Sequence, residues 1–155
     1  LTLSYDDPSK LGVDRFLAML GALERFPDNP LLVIDAGSAV TFDVLDSKGM
    51  HQGGLIMPGI KALRQSFPKF STGDLSLTSS ALKNNTEGAW RSGTHAMLVS
   101  AINSQIQNFE LEYPGGVVTI CGGIVNEILE ELPVSVKPFD NLVLDGLESY
   151  SQSMG

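Results

Sequence analysis

The stretch VIDAGSAVTFDVLD, residues 33–46, predicts a buried strand, a tight turn and a second strand. The first strand begins at Leu31 and is apolar without interruption, which is typical of a central strand covered on both faces. It ends in the carboxylate of Asp35, followed at once by Gly37 and Ser38. A hairpin turn alone requires only a glycine or an asparagine. A carboxylate, a glycine and a hydroxyl at this point could also face a phosphate and its cation.

The rest of the chain alternates helical and extended patterns around this stretch. Residues 40–45 alternate, with Val40, Phe42 and Val44 on one side and Thr41 and Asp43 on the other. The predicted helices are 10–25, 60–65, 86–109, 124–131 and 141–150. The predicted strands are 31–35, 40–45, 52–57, 117–121 and 134–136. Residues 68–82 predict an exposed loop. Three antiparallel strands followed by alternating helices and strands predict an α/β fold, with a mixed β-sheet and packed helices.

Composition excludes several classes of protein. The 155 residues fit one domain with a sizeable core, and 43% hydrophobic content is ordinary for a globular protein. A net charge of −8 with only 10 basic residues argues against nucleic-acid binding. No apolar run approaches the roughly 18 residues of a membrane span, and no leader pattern opens the chain, so we expect neither a membrane segment nor a secretory signal. A single cysteine fits a reducing cytoplasm. Because the chain begins at Leu1 rather than Met, we expect a fragment or a processed protein.

Glycine-containing turns follow two of the predicted strands, and each has two interpretations. Asp35, Gly37 and Ser38 form a plain turn, or they bind a phosphate and a cation. Gly122 and Gly123 form a tight strand-to-helix turn, or they let a nucleotide approach the start of the next helix. Taken alone, each pattern favours the plain turn.

Two polar segments also carry alternatives. Asp14 and Arg15 are two solvated helix charges, or Asp14 accepts a proton from a substrate hydroxyl while Arg15 binds a carboxylate as a fork. Thr86 caps a helix, or its hydroxyl holds a small polar substrate. For the other candidates we expect structural roles: His51 and His95 lack metal-ligand spacing, Cys121 and Trp90 pack internally, and Glu130 with Glu131 forms a solvated face.

Taken together and in order, the motifs resemble the type III pantothenate kinase family. They are Tyr5, GVDR (12–15), VIDAGSAVTFDVLD, GGLIMPGI (53–60), NNTEGAWRSG (84–93), ICGG (120–123) and LVLDGL (142–147). The resemblance implies phosphorylation of pantothenate with ATP, the first step toward coenzyme A, by a homodimer. It also implies the ribonuclease H-like fold of the actin, Hsp70 and sugar-kinase superfamily.

The resemblance assigns a role to each matching residue. Asp14 corresponds to the catalytic aspartate, and the substrate-binding positions correspond to Tyr5, Gly12, Val13, Arg15 and Thr86. Asp35 corresponds to the ligand of an activating monovalent cation, K⁺ or NH₄⁺. Ser38, with Gly37, falls at an ATP contact where the family usually has threonine, while Gly122 and Gly123 fall on the adenosine side. Mg²⁺ accompanies the ATP.

The family also implies an N-terminal domain with a phosphate loop, which is not among these residues. We expect residues 1–30 to be a leading helix that carries the Asp14 motif and residues 31–155 to be the second domain. ATP should lie between the domains, so we expect the chain alone to be inactive or nearly so. Two alternatives stay open: a non-catalytic accessory or regulatory dimerisation protein of the same family, and a different kinase of the superfamily, which Ser38 permits.

Overall fold

A mixed sheet of five strands forms the centre of the computed structural model, which describes residues 1–70 and 76–155. The strands are β1 (Leu31–Ala36), β2 (Ala39–Leu45), β3 (His51–Pro58), β4 (Val117–Cys121) and β5 (Lys137–Pro138). Their order across the sheet is β3-β2-β1-β4-β5. The first three pair antiparallel, whereas β4 is parallel to both β1 and β5. The predicted mixed sheet is thus confirmed. Residues 71–75 of the predicted loop lie outside the described residues.

Helices cover both faces of the sheet. They are α1 (Val13–Arg25), α2 (Ile60–Gln65), α3 (Thr86–Glu112), α4 (Val125–Ile128) and α5 (Leu142–Ser153). Helices α2, α3 and α4 pack on one face, against a core that includes Ile34 and Phe42. Helices α1 and α5 pack on the other face, against a core that includes Val33 and Leu45. Strand residues alternate between the two cores because successive side chains of a strand point to opposite faces.

The central position of β1 explains its apolar sequence. Leu31, Leu32, Val33 and Ile34 are all at most 2% exposed, since β1 is flanked by β2 and β4 and covered on both faces. The polar side of β2, which carries Thr41 and Asp43, turns toward α1 rather than toward solvent, and Asp43 is only 2% exposed. A buried carboxylate, and with it part of a candidate site, therefore lies beneath α1.

Most element boundaries agree with the sequence, and the exceptions have local causes. A 3₁₀ turn over Pro8–Lys10, capped by the Asp7 side chain, precedes α1, so α1 begins at Val13 rather than at residue 10. The predicted strand over 134–136 is wrong: Pro133 opens a turn closed by the Val136 N–H, and β5 follows at Lys137–Pro138. None of the helices in the described part of the chain combines the length and apolar character needed to cross a lipid bilayer.

Candidate functional site

The carboxyl ends of β1 and β4 lie side by side at the centre of the sheet. Asp35 on β1 pairs with Cys121 on β4. Beyond this point β1 turns back into β2 on one side, whereas β4 leads through α4 to β5 on the other. Ligands of open α/β sheets bind where neighbouring strands leave in opposite directions. The predicted phosphate turn and the Gly122–Gly123 turn meet at such a point.

Two glycines allow three backbone segments to pack closely around the turn after β1. Gly122 has a φ of 117°, and a Cβ there would overlap the backbone of Ala36. Gly59, which caps α2, donates its N–H to the Ser38 carbonyl, and a Cβ on Gly59 would overlap that carbonyl. The segments after β1, β3 and β4 are therefore packed against one another. Gly123 is exposed, with open space around its Cα.

Asp35 and Asp14 bring two negative charges into one region. Asp35 is half-buried at the end of β1, and Asp14 is exposed in the first turn of α1, just after the N-cap Gly12 and Val13. Burial raises the pKa of the Asp35 carboxyl, and the negative charge of Asp14 raises it further. A cation near Asp35 would offset both effects, which fits the predicted role of Asp35 as a cation ligand.

Arg15 is buried, so the interpretation of Asp14 and Arg15 as two solvated charges is wrong for Arg15. Its Nε donates to Asp43 Oδ2 at 2.9 Å and its Nη2 donates to Asp43 Oδ1 at 2.6 Å. Its Nη1 donates to the Tyr5 hydroxyl at 2.6 Å. The guanidinium fork thus binds a carboxylate of the protein itself, and Tyr5 and Arg15, both predicted to contact substrate, are in direct contact.

Asp43 and His51 are polar residues at this site that sequence reasoning missed. His51 Nε2 lies 2.9 Å from Asp43 Oδ1, and its Nδ1 lies 3.3 Å from the Ser4 hydroxyl. The Tyr5 and His51 rings stack with centroids 5.8 Å apart. A signal was present: Asp43 belongs to the polar side of an alternating strand, a side that an amphipathic helix covers.

An open cleft of about 530 Å³ lies outside this group of residues. Its lining residues are Ser4, Tyr5, Asp6, Asp7, Lys10, Gly53 and Gly54. The bare backbone of Gly53 and Gly54 leaves room on one side, and the Tyr5 phenol provides a polar group on the other. A small polar molecule can therefore reach Tyr5 from solvent.

Thr86 lies on an element apart from the other predicted substrate residues. Asn85 caps α3 by accepting from the Gly88 N–H at 2.8 Å, so capping does not require the Thr86 hydroxyl. Thr86 is exposed at the first position of α3. Helix α3 packs on the sheet face opposite to α1, which carries Asp14.

Other residues confirm or correct their predicted structural roles. Cys121 is 3% exposed, and burial raises the pKa of its thiol to about 12, as expected for a core residue. Trp90 packs near Phe67 and Phe70 and donates to the Arg64 carbonyl. Glu130 and Glu131 are exposed as predicted, and the Glu131 carboxylate also lies 2.6 Å from Nε2 of the buried His95.

Solved structures define the class of fold. The chain is similar to a putative 2-dehydro-3-deoxygalactonokinase from Sinorhizobium meliloti, with a TM-score of 0.59, 13% identity and coverage of 90% of this chain and 59% of that one. It is also similar to MreB 5 of Spiroplasma citri bound to AMPPNP, with a TM-score of 0.53, 12% identity and coverage of 92% and 58%. The fold is therefore of the actin and sugar-kinase type, as predicted.

Sequence comparison gives the family. The profile of the type III pantothenate kinases matches residues 1–108, and this chain belongs to that family. The type III pantothenate kinase of Azoarcus sp. strain BH72 is 37% identical over 146 residues, covering 92% of this chain and 54% of the relative. That of Herminiimonas arsenicoxydans is 34% identical over 153 residues, covering 94% and 59%. The chain thus spans little more than half the length of these relatives.

Proposed function

We propose that the natural protein containing this chain phosphorylates pantothenate with ATP, and that this chain forms its second domain together with the helix leading into it. One observation supports this function most directly: the turn after β1 and the Gly122–Gly123 turn after β4 meet at the carboxyl ends of these strands, beside the half-buried Asp35, whose pKa is raised by burial and by the charge of Asp14. The arrangement joins a carboxylate that can accept a proton to a backbone turn suited to phosphate. Membership of the family is consistent with it.

Asp14 is proposed to accept the proton of the substrate hydroxyl. Its exposure at the start of α1 leaves it accessible to a bound substrate. Asp35 is proposed to hold K⁺ or NH₄⁺, a charge that neutralises phosphate oxygens locally. Phosphoryl transfer depends mainly on positioning and charge neutralisation, and neither role proposed for Asp14 or Asp35 requires a covalent bond to the substrate.

ATP, with its Mg²⁺, is proposed to lie against the turn after β1. Gly37 and Ser38 would contact the phosphates, and Gly122 with Gly123 would face the adenosine. The support is the convergence of the two turns at the ends of β1 and β4 and the open space around Gly123. The serine keeps the hydroxyl of the usual threonine but restrains it less, because serine lacks the β-branch.

A homodimer is proposed to complete the substrate site, because Thr86 and Asp14 lie on helices that cover opposite faces of the sheet. A wholly apolar groove of about 140 Å³ between β3 and α3 gives a second copy a surface to cover. At its rim Met97 is 61% exposed. The small residues Ala89 and Gly93, also exposed on α3, permit close helix packing there.

The proposed function is tested by replacing Asp14→Asn in the natural protein. Loss of a positioned general base should lower kcat for pantothenate-dependent ATP consumption by roughly 10²- to 10⁴-fold. A coupled assay measures the rate, and circular dichroism checks that the fold is retained. Asp140→Asn, at an exposed position in the loop before α5, is the matched control and should leave the rate unchanged. Equal activity of Asp14→Asn and the parent protein would contradict the proposal.

This chain alone is proposed to turn over ATP poorly, since ATP is proposed to lie between two domains, of which these residues form one. Robust pantothenate-dependent activity of residues 1–155 would overturn that claim. Self-association of the natural protein without any pantothenate binding would instead favour the non-catalytic dimerisation protein. Preference for another hydroxylated acid over pantothenate would favour a different kinase of the superfamily.

A further inference from the structure

The buried polar group beneath α1 gives two residues a role that the family resemblance does not assign to them. We propose that Asp43 and His51 are positioning residues, which hold Arg15 and the Tyr5 hydroxyl in a single orientation at the wall of the open cleft. The consequence for substrate binding rests on the proposed function, because Tyr5 would be the group that meets the polar hydroxy acid.

The hydrogen bonds of Arg15 show which of its edges is occupied. Its Nε and Nη2 both donate to the Asp43 carboxylate, at 2.9 and 2.6 Å, in the side-on arrangement that a substrate carboxylate would otherwise take. Its Nη1 donates to the Tyr5 oxygen at 2.6 Å. Arg15 itself is buried and is not among the residues that line the cleft. Arg15 therefore acts on the cleft mainly through Tyr5.

Asp43 is bound tightly from two directions. Its carboxylate is 3% exposed and lies within hydrogen-bond distance of three nitrogens, two of Arg15 and one of His51. Removing one partner of a buried ion pair leaves the other charge uncompensated in the interior, which is costly, so Arg15 and Asp43 are held together. The fixed geometry here is that of the Arg15 side chain.

His51 completes the support of Tyr5. An ionised carboxylate can only accept, so His51 Nε2 carries the hydrogen that faces Asp43, and in the neutral ring Nδ1 then accepts from the Ser4 hydroxyl. The His51 ring stacks on Tyr5 at an interplanar angle of 29°. Tyr5 is thus held at its oxygen by Arg15 and at its ring face by His51.

Gly54 explains how this group fits under the cleft. A Cβ at Gly54 would overlap both Arg15 Nη2 and Asp43 Oδ1. The bare backbone of β3 therefore allows the ion pair to pack directly behind the floor of the cleft, which Gly53 and Gly54 line. The same glycine serves the cleft on one side and the ion pair on the other.

The test is a double-mutant cycle in the natural protein, with ATP and pantothenate as substrates. Tyr5→Phe and Asp43→Asn should each raise KM for pantothenate about tenfold and change kcat less than about threefold, as expected for lost ground-state orientation. Because Asp43 acts through Tyr5, the double variant should resemble the more affected single variant within about twofold. Effects that multiply would overturn the proposal.

A second cycle covers the case in which Asp43→Asn fails to fold. His51→Leu removes both the donor to Asp43 and the ring that stacks on Tyr5, whereas His51→Gln keeps an N–H donor. His51→Leu should raise KM more than His51→Gln and should be non-additive with Tyr5→Phe. Equal effects of the two His51 variants, or additivity with Tyr5→Phe, would contradict the role of His51.

The matched control is Asp145→Asn, which alters a second arginine–aspartate contact of α1, between Arg25 of α1 and Asp145 of α5. Asp145 Oδ2 accepts from Nε of Arg25 at 3.1 Å and from its Nη2 at 2.9 Å, and Arg25 lies in the last turn of α1. This pair is far more exposed than the pair of Arg15 and Asp43. Its removal should leave KM for pantothenate unchanged. A rise in KM equal to that of Asp43→Asn would show a general effect on α1 and would overturn the positioning role.

A spectroscopic measurement separates this proposal from the proposed function. The Nε–H resonance of Arg15 should exchange slowly with water in the parent protein and in Asp145→Asn, and rapidly in Asp43→Asn. Rapid exchange in the parent protein overturns the positioning of Arg15, whatever the activity. If exchange is slow but the parent protein does not use pantothenate, the proposed function is overturned, and with it the substrate role of Tyr5. The positioning of Arg15 by Asp43 is then still supported.

Discussion

Asp35 has an unfavourable electrostatic environment at the residue scale. Its carboxylate is half-buried at the end of β1 and close enough to Asp14 to be repelled by it. Both effects raise its pKa in the folded protein above the ordinary value of 3.8. The unfolded chain therefore loses this proton at a lower pH than the folded protein does. As the pH rises from the pKa of the unfolded chain to that of the folded protein, the folded state progressively loses stability relative to the unfolded state. Above both pKa values the loss is constant.

Asp35→Asn should therefore raise the melting temperature at neutral pH, and the gain should shrink as the pH falls toward 3.8, where the unfolded carboxyl is half-protonated. Thermal unfolding followed by circular dichroism from pH 7 down to pH 4 measures the difference. Added K⁺ should stabilise the parent protein more than Asp35→Asn. A variant less stable than its parent at pH 7 without K⁺ would contradict this account.

At the scale of elements, the start of α2 is packed onto the turn after β1. A Cβ at Gly59 would overlap the carbonyl of Ser38 and crowd that of Gly37. Gly59→Ala should therefore shift the proposed phosphate turn and raise KM for ATP about tenfold, with a smaller change in KM for pantothenate. Steady-state kinetics of the natural protein give both values. Ala62→Ser, exposed on the same helix, should leave both unchanged.

The contact between α1 and α5 also depends on glycine. A Cβ at Gly146 would overlap the Leu17 carbonyl, and one at Gly21 would overlap the Leu142 carbonyl. Gly146→Ala should destabilise the protein by about 1–3 kcal/mol, because overpacking outweighs a gain of up to about 1 kcal/mol in helix propensity. Urea unfolding measures the difference.

Gln152→Ala is the control for this helix contact, because it introduces the same residue at an exposed position of α5. Its effect should stay within about 0.5 kcal/mol. If Gly146→Ala were as stable as Gln152→Ala, the close approach of the two helices would not exist in solution.

At the scale of the whole molecule, the apolar groove beside Met97 predicts self-association. Met97→Glu should place a charge at the proposed interface and convert the natural protein from two subunits to one, since burying an unpaired charge is costly. Light scattering measures the mass. Leu111→Glu, at an 81% exposed position near the other end of α3, should leave the mass unchanged. A monomeric parent protein at high concentration would count against the dimer.

Much of the architecture follows from local sequence. The apolar run at Leu31–Ala36, the alternation over Ala39–Leu45 and the helical spacing after Thr86 each specify an element, because backbone propensity and side-chain periodicity act over a few neighbouring residues. The strand predicted at 134–136 was wrong because β5 pairs with β4 through only two residues. The position of β5 therefore depends on that neighbour rather than on its own sequence. The motifs also identified the family, since their order along the chain is a property of the sequence itself.

The tertiary structure alone decided what covers the polar side of β2. Alternation indicates that Asp43 points away from Phe42, but not that Arg15, 28 positions earlier, and His51, 8 positions later, meet its carboxylate. The same holds for the effect of the Asp14 charge on Asp35 and for Thr86 on the opposite face. Such contacts depend on strand register and on the way the helices pack. These are settled by burial and electrostatics over the whole fold, whereas the sequence pattern fixes only the neighbourhood of each residue.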